Sequence, residues 1–428
     1  DYVIQPIDFI CLSGYLKQNF ELHLIDAIRD GLSPAQVFEK VKDLNPEVVI
    51  CLVGMASSQE DLPFIKHVKN LGVSRVLAIG DLFLDERPEN CAKYPGLDGI
   101  LRSFIDPVEE LQALGVLPPD GENQDRTKSA QGRGFVLPLP VHELFLHPGY
   151  TFPFSRNAIH AMILTDFGCP FLCSFCVMSS LGYRFRPVEN VLVELEKIYS
   201  LKVKELFFID QSFGATRGRT EKLLKAMIRH SWGFHWTCYS RVDLVDRAFL
   251  LLMKEAGCHT VIFGVESGSE KILQHYGKGY TLSQVRKAFR LCRELGIRTA
   301  GTFLLGFPED DQVSCESTIQ LALSLRCDFA SFNFAYPRKN TALSHSDVEE
   351  TQQPGGDQSG LHLTRGTQHL SVKQLEGFRD RAIRSFYFRP EFILRQFTRI
   401  RSWHEFWVYA RNAYGLLKRL MPGKLFSG

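Results

Sequence analysis

Three of the chain's eleven cysteines stand within eight residues, Cys169, Cys173 and Cys176 in "GCPFLCSFC", while the other eight are scattered. Their spacing is C-x3-C-x2-C, directly after a run that reads as a strand. Structural zinc takes four nitrogen or sulfur ligands, usually as two separated pairs, and the chain has no second C-x2-C pair and no H-x3-H pair. Zinc is therefore the weaker reading. Three thiolates in one loop suit three irons of a [4Fe-4S] cluster, leaving the fourth iron open to a small molecule. An open iron implies catalysis rather than electron storage alone. Three unconnected core thiols are the remaining alternative, and Gly168 and Pro170 beside Cys169 at a strand end argue against it.

The elements that must position this loop are legible as alternating strand and helix patterns. In the first hundred or so residues, "IDFICLSGYLKQN" (Ile7 to Asn19) reads as a helix, "FELHLIDA" as a strand and "SPAQVFEKVKDLN" as a helix with Ser33 as N-cap and Pro34 at its first position. "EVVICLVG" follows as a fully buried strand. The alternation then continues through "DLPFIKHVKNLG", "SRVLAIGD", "DGILRS" and "PVEELQALG". This spacing indicates an open, doubly wound parallel sheet, Rossmann-like, over residues 1–117. From Pro118 to Gly134 the chain has no Val, Ile, Leu, Phe or Met, so residues 118–150 read as a linker and its aromatic-rich continuation.

A second series begins with "AIHAMILTDFG" and ends with "DFASFNFAYPR", giving six strands with five intervening helices over residues 151–344. That repeat predicts a partial (β/α)6 TIM-type barrel with its site on the loops after the strands. Residues 345–370 are polar and Gly-rich and read as a flexible loop; residues 371–428 are helical in pattern. The fold class is thus α/β with a C-terminal helical segment.

Composition sets outer bounds. With 428 residues, 45% of them apolar and 23% charged, the chain can bury two or three cores. No uncharged apolar run is long enough for a bilayer span. Cysteines set singly in apolar stretches (Cys11, Cys51, Cys292, Cys327) point to reduced thiols and a cytoplasmic location. The chain opens on Asp1 rather than Met, which points to a natural start further upstream. The net charge of +2 is uneven: Lys373 to Lys424 holds twelve Lys or Arg against four Asp or Glu, a surplus of eight that leaves the rest at −6.

At the cysteines the sequence resembles the radical S-adenosylmethionine (SAM) superfamily, whose signature C-x3-C-x-aromatic-C is matched with Phe175 as the aromatic. The resemblance implies that Cys169, Cys173 and Cys176 bind a [4Fe-4S] cluster, that Phe175 neighbours the adenine, and that the open iron chelates SAM. Cleavage of SAM then gives methionine and a 5′-deoxyadenosyl radical that abstracts hydrogen. Later motifs extend the resemblance. "FFIDQSFG" places Asp210 where many relatives carry the first of two acids, and Gln211 where the second would be. "YSRVD" offers Arg241 to the SAM carboxylate through its guanidinium fork, with pairing to a structural carboxylate as the alternative. "FGVESGSE" offers Glu266 and Ser267 to the ribose or methionine part, with capping of the next helix as the alternative for Glu266. "GTFLLGFPE" resembles the strand against adenine through Gly301, Phe303 and Gly306.

The first domain resembles the cobalamin-binding domain of one branch of that superfamily, which includes C-methyltransferases, the anaerobic magnesium-protoporphyrin cyclase and enzymes of bacteriochlorophyll and hopanoid modification. The resemblance implies cobalamin as a further cofactor. The Asp-x-His-x-x-Gly motif is absent: "ELHLID" is the nearest string, and His23 reads as a strand residue rather than a cobalt ligand. Relatives without the motif bind the cobalamin tail along the strand ends, here the loops Met55 to Gln59 and Asp81 to Asp85, with Asp81 where relatives often have a second glycine. The implied reaction functionalises an unactivated C–H bond of a hydrophobic, tetrapyrrole- or isoprenoid-like metabolite by hydroxylation, cyclisation, rearrangement or methylation. A cobalamin-dependent C-methyltransferase is the variant of that reading, and a non-catalytic iron–sulfur or zinc protein is the alternative of another class. A reducing donor such as flavodoxin or ferredoxin is implied. The basic, aromatic tail could pack at the barrel mouth, meet an anionic or hydrophobic substrate, or touch a membrane surface; no nucleic-acid motif accompanies its charge. Arg338 and Lys339, in "AYPRKNTAL", could meet a substrate carboxylate or phosphate.

Overall fold

The computed structural model describes residues 2–84, 86, 88–118, 134–338, 341–345, 365–397, 400 and 403–420. Asp85, Lys339, most of the 118–134 linker and the greater part of the 345–370 loop lie outside the described residues. The chain divides into two compact units, Val3–Tyr150 with Phe185–Leu201, and Asp1–Tyr2 with Thr151–Arg184 and Lys202–Gly428.

The front unit is built on three parallel strands, β1 (Val48–Leu52), β2 (Arg75–Ile79) and β3 (Gly99–Ile100), in that spatial order. Successive side chains of β2 point to opposite faces, and both faces are covered. Val76 and Ala78 pack with Val37 and Val41 of α3 (Pro34–Leu44) and Ile65 and Val68 of α4 (Ser58–Asn70). Leu77 and Ile79 pack with Leu12 and Leu16 of α1 (Ile7–Leu16) and Leu111 of α5 (Val108–Ala113). Ser33 caps α3 in a reciprocal capping box with Gln36, and Pro34 opens it, as its sequence dictates. Two expectations fail here. "FELHLIDA" forms no strand: it runs extended into the short helix α2 (Ala27–Asp30). Its Leu22 joins the cluster on one face of the sheet and its Ile25 the cluster on the other. β1 is an edge strand and only half-buried, with Leu52 40% exposed, rather than fully buried.

Helix α6 (Val188–Ser200) groups with the front unit. Its Asn190 side chain bonds both the N–H and the carbonyl of Leu137, and its Glu194 lies 2.5 Å from Arg186 and 2.8 Å from His142, all buried. Burial works against the Glu194 charge, but Arg186 and His142 outweigh it and hold the carboxyl at about 2.

The second unit is an all-parallel six-stranded sheet, β4 (His160–Ile163), β7 (Glu205–Phe208), β8 (His235–Ser240), β9 (Cys258–Glu266), β10 (Arg298–Leu305) and β11 (Phe329–Phe334), paired in sequence order. A two-stranded ribbon, β5 (Asp166–Gly168) with β6 (Tyr183–Phe185), brackets the cysteine loop. Helices α7 (Arg217–His230), α8 (Arg247–Glu255), α9 (Glu270–His275), α10 (Leu282–Glu294) and α11 (Gln312–Leu325) connect the strands. α9 is capped by Ser269, which accepts from the Ile272 N–H, so neither Glu266 nor Ser267 is the cap.

The C-terminal helices run from the carboxyl end of β11 to its amino end. Helix α12 (Val372–Tyr387) runs along β11, from Leu375 beside Leu305 and Phe334 to Tyr387, whose hydroxyl donates to the Ala330 carbonyl at 2.6 Å and accepts from its N–H at 3.1 Å. Arg395 of α13 (Pro390–Phe397) donates to the carbonyls of Arg326 and Cys327. Glu405 of α14 (Trp403–Leu420) pairs with Arg298 at 2.9 Å. These partners sit at the amino ends of β10 and β11, opposite the cysteine loop. Arg389 and Arg395 of the tail are thus used on backbone carbonyls, while Trp403 and Trp407 remain 79% and 66% exposed. Among the described residues, no helix is long and apolar enough to cross a membrane.

At that same lower end, buried Glu205 bonds His259 at 2.8 Å and Asn157 at 2.9 Å. Burial pushes Glu205 up to about 7 and His259 well below its ordinary value, so the two share a proton as a neutral pair. The raised carboxyl binds a proton in the fold as pH falls below about 7, while the unfolded chain binds one at the histidine below 6.5, so the two contributions oppose each other. Glu205→Gln leaves only the histidine's, and its melting temperature should fall as pH drops below 6.5. A pH profile like that of wild type would contradict the neutral pair.

Candidate active site

The cysteine loop is fixed from both sides. Gly168, at φ +73°, enters it so close to the backbone of Gly182 that a Cβ would lie 1.6 Å from the Gly182 carbonyl oxygen. Gly168→Ala should cost more than about 1 kcal/mol of stability in a melting experiment, through strain and collision together. Across the loop, Cys176 N–H donates to the Cys173 carbonyl, and Ser174 N–H donates to the Tyr276 carbonyl at 3.1 Å. Phe175 meets Tyr276 and Phe307 edge-on, with centroids 6.2 and 5.6 Å away. The aromatic of the cysteine motif therefore anchors its loop to the segment after α9.

Cys169, Cys173 and Cys176 line a cavity of about 360 Å³ at the carboxyl ends of the strands. Period-two alternation decides what else reaches it: Ile262, Gly264 and Glu266 from β9, Thr302 from β10, and Gln211, Tyr239 and Arg241 from the ends of β7 and β8. Cys169 Sγ lies 3.6 Å from Ser212 Oγ. Burial raises the Cys176 thiol, opposed by the Met178 backbone N–H. Among the described residues no three His, Cys, Asp or Glu side chains converge as on a single ion. Thiolates that each hold a separate corner of a cluster need no such convergence, so the residues present fit a [4Fe-4S] group better than zinc.

Arg241 is heavily engaged. It grips Asp243 with two bonds of 3.0 and 2.9 Å, donates to the Lys278 carbonyl at 2.7 Å, lies 3.6 Å from Cys173 Sγ, and stacks 3.7 Å over the Phe171 ring. Burial works against its charge, but Asp243 outweighs it and raises its pKa. Asp210 is fully buried below the cavity, accepting from the N–H groups of Thr165 and Asp166 and from the Thr165 hydroxyl. Ser267 is buried 3.4 Å from the Thr318 hydroxyl. Gly301 and Phe303 flank Thr302 on the outward side of β10, where Phe303 stacks on Phe332. Gly306 donates to Asp310 at 2.9 Å. The cavity thus gathers the three cysteines, Phe175, Gln211, Arg241 and Glu266, and does not include Asp210, Ser267, Gly301, Phe303 or Gly306 in its lining.

Lys278 also lines the cavity, with Nζ 2.7 Å from Glu266 Oε1. Sequence reasoning missed it, because a lone lysine in "HYGKGYT" belongs to no spacing motif. In the front unit, Met55 N–H donates to Asp81 Oδ1 at 2.7 Å, tying together the loops after β1 and β2. Gly80, at φ +140°, lies so close to Val53 that a Cβ would be 2.1 Å from its carbonyl oxygen. His23 lies in the extended segment, its side chain half exposed and 3.4 Å from Glu21.

A parallel α/β unit with three clustered cysteines on the loop after its first strand is the arrangement of an iron–sulfur enzyme that opens its cluster to a ligand. Residues 163–322 match the Radical SAM superfamily, and this chain carries a radical SAM domain; enzymes of that superfamily use a [4Fe-4S] cluster and SAM. An uncharacterized methyltransferase of Pyrococcus horikoshii is 25% identical over 435 residues, covering 96% of this chain and 93% of the relative. The anaerobic magnesium-protoporphyrin IX monomethyl ester cyclase of Rubrivivax gelatinosus is 24% identical over 368 residues, covering 76% of this chain and 63% of the relative. Among solved structures, the cobalamin-dependent S-adenosylmethionine radical enzyme OxsB, with aqua-cobalamin and SAM bound, superposes with a TM-score of 0.60 at 15% identity, over 96% of this chain and 68% of that one. The last likeness is one of fold.

Proposed function

We propose that this chain is a radical SAM enzyme that functionalises an unactivated C–H bond of a hydrophobic metabolite, with the front unit binding cobalamin and methylation as the reaction. The observation that carries the radical chemistry is the cavity itself, with Cys169, Cys173 and Cys176 facing one space lined by Arg241, Lys278 and Glu266. When bound, the cluster supplies the electron that cleaves SAM. The residues supply everything else. Arg241 and Asp243 hold the cysteine loop to the end of β8, Phe175 wedges it against Tyr276 and Phe307, and Ile209, Ile262 and Tyr239 narrow the water-accessible space around the reacting centre. Exclusion of water protects a carbon radical from quenching. A reductant and a small-molecule substrate are required partners of this chemistry.

Methylation is supported by the similarity to the Pyrococcus methyltransferase across nearly the whole chain, and cobalamin by the fold shared with OxsB, including the front unit. Cobalamin supplies a methyl carrier when bound. The Asp-x-His-x-x-Gly motif is absent and His23 lies half exposed beside Glu21, so bound cobalamin should show a base-off spectrum that His23→Ala leaves unchanged. The deciding experiment is product analysis of the anaerobically reconstituted protein with dithionite, SAM and cobalamin. S-adenosylhomocysteine beside 5′-deoxyadenosine supports methylation; 5′-deoxyadenosine alone, whatever the cobalamin supply, overturns it in favour of oxidation, cyclisation or rearrangement.

A further inference from the structure

The cavity contains a buried charge pair that loop anchoring does not account for. Lys278 and Glu266 are 2.7 Å apart with side chains only 9% and 11% exposed. Their pairing imposes local costs. Glu266 has φ +65°, in the left-handed region that side chains avoid. The β9–β10 register shifts beside it, between Thr302 and Phe303. A Cβ at position 264 would lie 2.6 Å from Glu266 Oε1 and 3.3 Å from Lys278 Nζ, so a side chain there would push the pair aside. Taking two charges out of water is costly even when they meet, so an apolar pair would serve packing as well or better. Lys278 Nζ lies 5.6 Å from the centroid of Phe175, the residue between Cys173 and Cys176 in the motif. The other cation facing the cysteines, Arg241, is matched by the two-bond grip of Asp243.

We propose that Lys278 and Glu266 form an opposed pair that sets the reduction potential of the cluster held by Cys169, Cys173 and Cys176, the lysine favouring reduction and the glutamate restraining it. The inference rests on the cluster reading above. Reduction places one further negative charge in the cavity that these two buried side chains line, where solvent screens them poorly. A fixed cation lining the cysteines' cavity stabilises that charge, and a carboxylate lining the same cavity cancels part of the benefit. Lys278 is suited to be such a fixed charge: burial disfavours it, yet Glu266, Tyr280 and Cys173 outweigh burial and raise its pKa. Both residues thereby act through the cluster's electrostatics and are positioning residues rather than catalytic ones.

The test is a redox titration of the reconstituted full chain without SAM, following the reduced cluster by electron paramagnetic resonance, in wild type, Lys278→Met and Glu266→Gln. Lys278→Met should lower the potential and Glu266→Gln should raise it. In each case the reduced-to-oxidised ratio at a fixed poise should change about tenfold, equivalent to about 59 mV for one electron. A merely structural pair would move both variants in the same direction or neither, and either result overturns the proposal. If Lys278→Met takes up no cluster, the Glu266→Gln arm decides: an upward shift supports the proposal and an unchanged potential overturns it. Failure of the cluster reading would look different, with wild type itself binding no iron or the cysteine variants retaining it.

Discussion

Replacing any one of Cys169, Cys173 or Cys176 with alanine is expected to abolish SAM cleavage and lower iron uptake to background, while Cys258→Ala leaves both intact. A cluster held by only three protein thiolates has no spare ligand, so a missing corner cannot be made good by the fold. The three thiols share one cavity. Cys258, by contrast, opens β9 at the far end of the strands, buried, with its thiol directed at the Thr260 carbonyl 3.6 Å away. Iron per chain after anaerobic reconstitution, with 5′-deoxyadenosine formation, distinguishes the four variants. Loss of the cluster in Cys258→Ala would mean that the ligands are misassigned.

The second large effect is expected at Arg241. Its guanidinium holds Asp243, the Lys278 carbonyl and the Phe171 ring at once, and connects them to Cys173. A lysine has neither the planar fork nor the stacking face to replace it. Arg241→Lys should therefore lower the stability of the cluster-free chain by about 2–3 kcal/mol, by leaving Asp243 poorly paired, and should reduce cluster uptake before SAM is added. Thermal unfolding and iron content measure the two effects. If the variant is as stable and as iron-loaded as wild type but needs far more SAM, the guanidinium acts on the SAM carboxylate instead.

How far these roles were legible in the sequence varies with the physics behind each signal. The cysteine loop was legible because ligand spacing is local and its strand precedes it directly. The strands of the second unit were legible because strands covered on both sides are continuously apolar, and the capping box of α3 because it is written in four consecutive residues. "FELHLIDA" misled because its alternation reports which way side chains point, not whether a partner strand exists to bond its backbone. Gly301 and Phe303 were drawn to the site by a motif, yet strand alternation, with Thr302 inward, already assigned them to the opposite face. Lys278 was invisible because it meets Glu266 through a turn between two helices, a contact made by tertiary structure and by no periodicity. The tail's position at the lower end depends on single long-range bonds such as Arg298 to Glu405, which charge counting cannot locate.

The central claim is that the cavity holds a redox-active cluster that acts on SAM. Its most direct test is anaerobic reconstitution of the wild-type chain with iron and sulfide, followed by dithionite and SAM, with 5′-deoxyadenosine and methionine measured against bound iron. Iron matching one [4Fe-4S] cluster per chain, and formation of both products only in the reduced protein, are expected. A chain that binds zinc, takes up no iron and leaves SAM intact would contradict it.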